Sequence, residues 1–264
     1  MRIIAVINQK GGVGKTTTTA NLSHALALQG KRILMLDMDP QAHLSASFGF
    51  QGVGISGMDE VMFGRRPLGD VVMSIRPGLD LVPAGDKLAE FEFKKEGGSQ
   101  RGFVLKSALE NLSQKYDLIM LDCPPSTGLT GMNCILASNE QMIPVASDFL
   151  AMHGLTRLLG IIETIEERLH KQSKRWVVVT RYYDRRLLAR EIRNKLAEMF
   201  PNEMLSTPIR ENVALAEAPG HGQTVFDYRK NSNGAKDYMQ LAEDLLNEKT
   251  AAQEVKANIT ELTV

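Results

Sequence analysis

Cysteine is nearly missing from this chain: only Cys123 and Cys134 occur, without metal-ligand spacing and in apolar surroundings. That argues against a disulfide framework and against a zinc site, and both thiols read as reduced core residues of a cytosolic protein. No apolar run approaches the length of a bilayer span. The N-terminal MRIIAVINQKG lacks a signal-peptide layout, because its apolar run is short and leads straight into glycines. Net charge is also absent, with 31 Lys plus Arg against 31 Asp plus Glu. A wholesale polyanion-binding surface is therefore not implied, although a local basic patch stays open. The sequence has no internal repeat and no long linker. These absences leave an ordinary globular, cytoplasmic protein as the expectation.

What is present is an alternation. Short apolar runs rich in β-branched residues recur at 3–7, 32–37, 79–83, 117–122, 141–145 and 176–180. Between them, 16–29, 101–114, 151–170, 186–199 and 235–247 carry apolar residues at helical spacing. Strands apolar on both faces that alternate with helices predict an α/β fold: a doubly wound, mostly parallel sheet with helices on both faces. The segment 92–102 (EFKKEGGSQRG) reads as a mobile loop. One domain is expected over 1–248, with a polar, weakly periodic tail at 249–264 that is either frayed helix or an appended interaction segment.

Residues 8–18 read NQKGGVGKTTT, between the first apolar strand and the first helical segment. In that context Gly11, Gly12, Val13, Gly14, Lys15, Thr16 and Thr17 have a mechanism. Glycines let backbone N–H groups turn onto phosphate oxygens, and the helix N-terminus adds a positive dipole end. Lys15 neutralises phosphate charge and the Thr16 hydroxyl ligates Mg²⁺. A single phosphate loop needs one lysine, so Lys10, on the loop rim, is surplus. It is either a solvated surface charge or something more.

The complete string KGGVGKT resembles the deviant Walker A motif of the ParA/MinD family of ATPases. The resemblance implies a P-loop NTPase fold, with ATP and Mg²⁺ as cofactors. It also implies a catalytic role for Lys10, which in that family reaches across a dimer interface to the partner's nucleotide, as an arginine finger does. LMLDMDPQA (34–42) looks like the family's switch I segment. By the resemblance, Asp39 positions the attacking water. Asp37 would face the phosphate site with it if the strand continued, and is expected in the metal shell. DLIMLDCPPS (117–126) has the Walker B pattern, in which Asp122 holds the Mg²⁺ shell through water. Segments 181–196 and 208–228 look like the C-terminal half of small chromosomal-type, Soj-like ParA proteins, so the similarity runs over about 1–247. The first strand begins almost at Met1 with no helix-turn-helix ahead of it, so operator binding is not expected.

Between 181 and 195 the chain carries Arg181, Arg185, Arg186, Arg190, Arg193 and Lys195 against only Asp184 and Glu191. On a helix starting near 185, Arg186, Arg190 and Arg193 fall on one face, either as a solvated stripe or as a contact set for DNA phosphates. The family places non-specific DNA binding in this half, which with Arg210 completes the expected contact set. Relatives commonly carry a further arginine in a P-R-N-V-R-L-like stretch, where this chain has Glu211 and Ala214. The membrane alternative is the MinD branch, which needs a basic amphipathic C-terminal helix; AQEVKANITELTV has small apolar residues and little positive charge. An iron–sulfur bridge across a dimer does not match the two cysteine positions. A kinase or synthetase would need an acceptor motif, and none is evident. The expectation is a switch ATPase that dimerises with ATP, binds double-stranded DNA on the nucleoid, and positions a cargo until a ParB-like protein or cargo adaptor stimulates hydrolysis.

Overall fold

The computed structural model describes residues 1–50, 54–113, 116–148, 151–170 and 172–253. Its strands are β1 (Arg2–Val6), β2 (Ile33–Asp37), β3 (Met73–Arg76), β4 (Leu79–Val82), β5 (Leu118–Asp122), β6 (Glu140–Ala146) and β7 (Lys174–Thr180). They form one sheet in the order β3-β4-β2-β5-β1-β6-β7. Every neighbouring pair is parallel except β3 with β4. Six strands coincide with the apolar runs of the sequence. The seventh, β3, is an antiparallel edge strand of half-exposed residues (MSIR), without the apolar run that marks the others.

Alternation of side chains along each strand splits the core into two layers. Ile4, Val6, Ile33, Met35, Leu118 and Met120 pack on one face, with Leu22 and Leu26 of α1 (Lys15–Leu28). Ala5, Ile7, Leu34, Leu36, Ile119 and Leu121 pack on the other. The remaining helices are α2 (His43–Ala46), α3 (Met58–Met62), α4 (Val104–Glu110), α5 (Leu129–Ala137), α6 (Ala151–Leu169), α7 (Leu187–Met199), α8 (Val213–Glu217), α9 (Val225–Arg229) and α10 (Asn233–Asn247). Helix α10 lies beside α1, and its Leu241 and Leu245 join the first layer.

Local chemistry shifts some boundaries. The helical spacing at 101–114 becomes a 3-10 turn over Gly98–Phe103 followed by α4, a break at which Gly102 sits against Leu136. The segment 92–102 is 3-10 turn at both ends, and Glu92 accepts hydrogen bonds from the Leu129 and Thr130 N–H groups at the start of α5. Beyond Glu248 the chain still packs on the domain: Ala251 is buried and its N–H donates to the Met204 carbonyl at 2.9 Å. Residues 254–264 of the expected tail lie outside the described residues.

The parallel strands end together. Registers Val6↔Asp122 and Asp37↔Asp122 bring the carboxyl ends of β1, β2 and β5 side by side. This edge of an α/β sheet is where loops converge on ligands.

Candidate phosphate-binding site

After β1 the chain folds into a bowl. Gly12 and Gly14 take φ of 74° and 89°, the left-handed region that a side chain would strain. A Cβ added to Gly11 or Gly12 meets nothing within 4 Å, so the bowl is open. It is pinned from two sides. Asn8 donates its side-chain amide to the Pro144 carbonyl of β6 (2.8 Å), and Thr180 at the end of β7 donates its hydroxyl to the Val13 carbonyl (2.8 Å). Neither anchor carries a sequence signal, because each works across more than a hundred residues.

Lys15 opens α1 and is buried. Desolvation pushes its pKa down, against the pull of Asp122 and Asp39. Asp122, fully buried, accepts from the Thr16 hydroxyl at 2.7 Å and the Thr19 hydroxyl at 3.3 Å. Burial, together with the adjacent Asp37, raises its pKa well above the usual carboxylate range. Asp37 is equally buried and is raised to about 6, chiefly by desolvation. Its Oδ2 takes both the hydroxyl and the backbone N–H of Ser45 (2.6 and 2.8 Å), and its Oδ1 takes the Asp39 N–H at 3.3 Å.

The expected strand continuation from Asp37 to Asp39 does not occur. β2 stops at Asp37, and the chain turns so that Ala42 N–H donates to the Asp39 carbonyl. Asp39 still reaches the site, close enough to Lys15 to oppose its loss of charge. Asp37 Oδ2 is engaged by Ser45, a residue that sequence reading passed over, and so braces the first turn of α2.

Lys10 lies half-exposed at the rim. Its ammonium pairs with Asp148, just beyond the end of β6, at 2.5 Å, while its N–H donates to the Asn8 side chain. The surplus lysine is thus held on its own chain by an acid that the sequence did not single out.

Beside the bowl is a cavity of about 250 Å³ between Gly12, Gly14 and Thr17 on one side and the 209–216 strip on the other. A roomier groove of about 550 Å³ near His24 and Met239 lies toward the far end of α1, away from the carboxylates. The smaller cavity separates the expected arginine set. Arg181 and Arg210 both line it; Arg181 pairs with Glu211 at 3.4 Å and Arg210 with Asp237 at 2.5 Å.

The others lie on or before α7, which starts at Leu187, two residues past the expected 185. Arg186 is therefore its extended N-cap, stacked over the Tyr183 ring at 5.2 Å. Arg185, Arg186 and Arg190 are exposed, whereas Arg193 is half-buried and donates to the Ser206 carbonyl at 3.1 Å. The single helical face drawn through 186, 190 and 193 is thereby reduced to Arg190, with Arg185 and Arg186 ahead of it. Trp176 belongs to the buried sheet and donates to Glu140 at 2.6 Å.

The donor set fits a polyphosphate with a hard divalent cation. The bowl is open, Lys15 supplies charge inside it, and the Thr16 hydroxyl, held by its bond to Asp122, would keep its lone pairs for a cation. Among the described residues no group of three or more His, Cys, Asp or Glu forms a metal cage. Remaining ligands would come from phosphate oxygens and water.

Comparison with known proteins agrees with this geometry. Residues 1–174 match a family model described as an AAA domain. The chain is 35% identical over 247 residues to the sporulation initiation inhibitor protein Soj of Bacillus subtilis, covering 92% of this chain and 98% of that protein. It is 33% identical over 251 residues to the chromosome partitioning protein ParA of Caulobacter vibrioides, covering 93% and 94%. Among solved structures, a plasmid partition protein of Borrelia burgdorferi bound to AMPPNP superposes with TM-score 0.79 at 25% identity, over 94% of this chain and 99% of that one. A cobyrinic acid a,c-diamide synthase of Mycobacterium smegmatis with bound ADP and magnesium gives 0.80 at 29%, over 93% and 94%. A phosphate bowl with two lysines, two strand-end aspartates meeting at its edge, and this extent of shared sequence place the chain in the ParA/Soj family of P-loop ATPases.

Proposed function

We propose that this chain is an ATP-dependent dimerising switch that binds DNA non-specifically and partitions or positions a cargo. The observation that carries the reading is the pair of lysines. Lys15 is buried inside the bowl, so Lys10, half-exposed at its rim on Asp148, is left for a second chain. ATP with Mg²⁺ supplies the bond to be broken and the charge that recruits the second lysine. In the closed dimer Lys10 leaves Asp148 and meets phosphate bound by the partner, where a cation added in trans stabilises charge on the transferred group. Asp39 orients the attacking water. Thr16, braced by Asp122, holds the cation.

Arg185, Arg186 and Arg190 supply the DNA-facing charge. Phosphate contacts of this kind carry affinity without sequence information. Dimerisation sets two such patches on one duplex and raises affinity through effective concentration. A ParB-like protein or cargo adaptor then stimulates hydrolysis and releases the subunits, so nucleotide acts as a switch. The relatives named Soj and ParA support partition over the amide-forming chemistry in the synthase's name, because they share more sequence over a comparable span. The MinD-like membrane alternative needs a basic amphipathic C-terminal helix, and residues 254–264, where it would lie, are outside the described residues. Co-sedimentation with ATP separates the two readings. Pelleting with DNA and not with anionic vesicles is expected, and the reverse result would replace this reading with the membrane one.

A further inference from the structure

Asp237 lies on α10, far in sequence from every motif of the phosphate site. Its side chain is only 7% exposed and pairs with Arg210. Among the described residues both its oxygens bond to Arg210. The Arg210 backbone N–H donates to Oδ2 at 2.9 Å, its Nε donates to Oδ2 at 3.0 Å and Oδ1 at 3.1 Å, and its Nη2 to Oδ1 at 2.5 Å. A planar fork of this type fixes the orientation of both partners, and the backbone bond fixes the strip as well as the side chain. The next residue, Tyr238, is buried, and its hydroxyl shares a 3.1 Å hydrogen bond with the Thr18 hydroxyl of α1. Successive helix residues sit about 100° apart, so one turn of α10 grips two different elements.

Those elements are the two walls of the cavity beside the bowl: α1 with its glycine loop, and the 209–212 strip. Tyr182 holds the strip from the other side, donating to the Ile209 carbonyl at 3.0 Å and accepting from Glu211 N–H at 2.9 Å. The gap between the walls is therefore set by Asp237 and Tyr238 acting from the same helix.

We propose that Asp237 is a positioning residue for the nucleobase: its clamp on Arg210 holds the 209–212 strip as the wall against which the base and ribose of a bound nucleotide lie. This rests on the nucleotide reading of the phosphate site. It also reassigns Arg210, whose guanidinium serves the nucleotide cavity and not DNA.

The test compares Mg²⁺–ADP with Mg²⁺–pyrophosphate by titration calorimetry and competition on the full chain. Both ligands leave the chain monomeric in this account, so dimerisation does not enter. The proteins are wild type, Asp237→Asn, Arg210→Gln and the double variant. If wild type binds neither ADP nor ATP, the nucleotide reading itself is wrong. If it binds, Asp237→Asn is expected to weaken ADP on the order of tenfold, the size of one lost oriented contact, with pyrophosphate affinity unchanged. The double variant is expected to be no weaker than either single one. Parallel loss of ADP and pyrophosphate would make Asp237 a support of the fold or bowl alone, and unchanged ADP affinity would give it no part in binding; either result overturns the assignment.

Discussion

Replacing Asp37 by Asn should change how stability depends on pH, with a sign that the site dictates. Asp37 is buried at the end of β2, in register with Asp122; burial is the main reason its carboxyl titrates at about 6 instead of 3.8, and the charge of Asp39 adds to it. The unfolded chain releases this proton near 3.8. Between about pH 4 and 6 the folded chain therefore holds a proton that the unfolded chain has lost, and stability falls as pH rises. The slope for one group is about 1.4 kcal/mol per pH unit, or ~3 kcal/mol over the window. Asn cannot ionise and so escapes this cost. Without the charge at 37, Asp122 also ionises more easily, which works in the same direction. In urea titrations of nucleotide-free protein, Asp37→Asn should gain on wild type from pH 4 to 6 and hold its advantage above. Mg²⁺–ATP should shrink that advantage, because a cation at the site favours the ionised carboxylates. A stability difference that stays constant from pH 4 to 8 would refute the reasoning.

Three further outcomes are expected. Asp148→Asn frees Lys10 from a half-exposed pair worth ~0.5 kcal/mol after solvent screening. With two such pairs per dimer, the ATP-bound dimer should tighten roughly fivefold in sedimentation equilibrium of an Asp39→Ala background, and a weaker dimer would mean that Asp148 serves the interface directly. Changing Arg185, Arg186 and Arg190 to Glu should abolish ATP-dependent DNA binding in a filter assay while basal turnover continues; retained binding with an unchanged salt slope would move the DNA face elsewhere. Gly57→Ala places a Cβ 2.0 Å from the Pro83 carbonyl oxygen, backbone that cannot swing aside, and should cost about 1–3 kcal/mol in a thermal melt. An unshifted Tm would show that this turn has room to relax.

The sequence displayed the parts of this molecule that repeat or that sit next to one another along the chain. Six parallel strands announced themselves as apolar runs because both their faces are buried, and the bowl announced itself because glycine, lysine and threonine must be adjacent in it. The edge strand β3 was silent, since one row of its groups faces solvent and its residues mix Met, Ser and Arg. Residues that work by tertiary pairing were also silent. Asn8, Ser45, Asp148, Thr180 and Asp237 brace the site across separations from eight residues (Ser45 on Asp37) to 167 (Thr180 on Val13), and nothing local marks them. Arginines 181 and 210 show the same limit: charge density along the chain resembles a stripe, but in the fold both line the cavity beside the bowl, Arg181 paired with Glu211 and Arg210 held by the fork on Asp237. Only the fold separates them from Arg185, Arg186 and Arg190.

The central claim is that nucleotide joins two copies of this chain through Lys10. Multi-angle light scattering of Asp39→Ala with saturating Mg²⁺–ATP tests it most directly, with Mg²⁺–ADP and the added substitution Lys10→Ala as the comparisons. Twice the chain mass is expected with ATP, a single chain with ADP, and a single chain with ATP once Lys10 is removed. Single chains under all three conditions, or a dimer indifferent to Lys10, would contradict that claim.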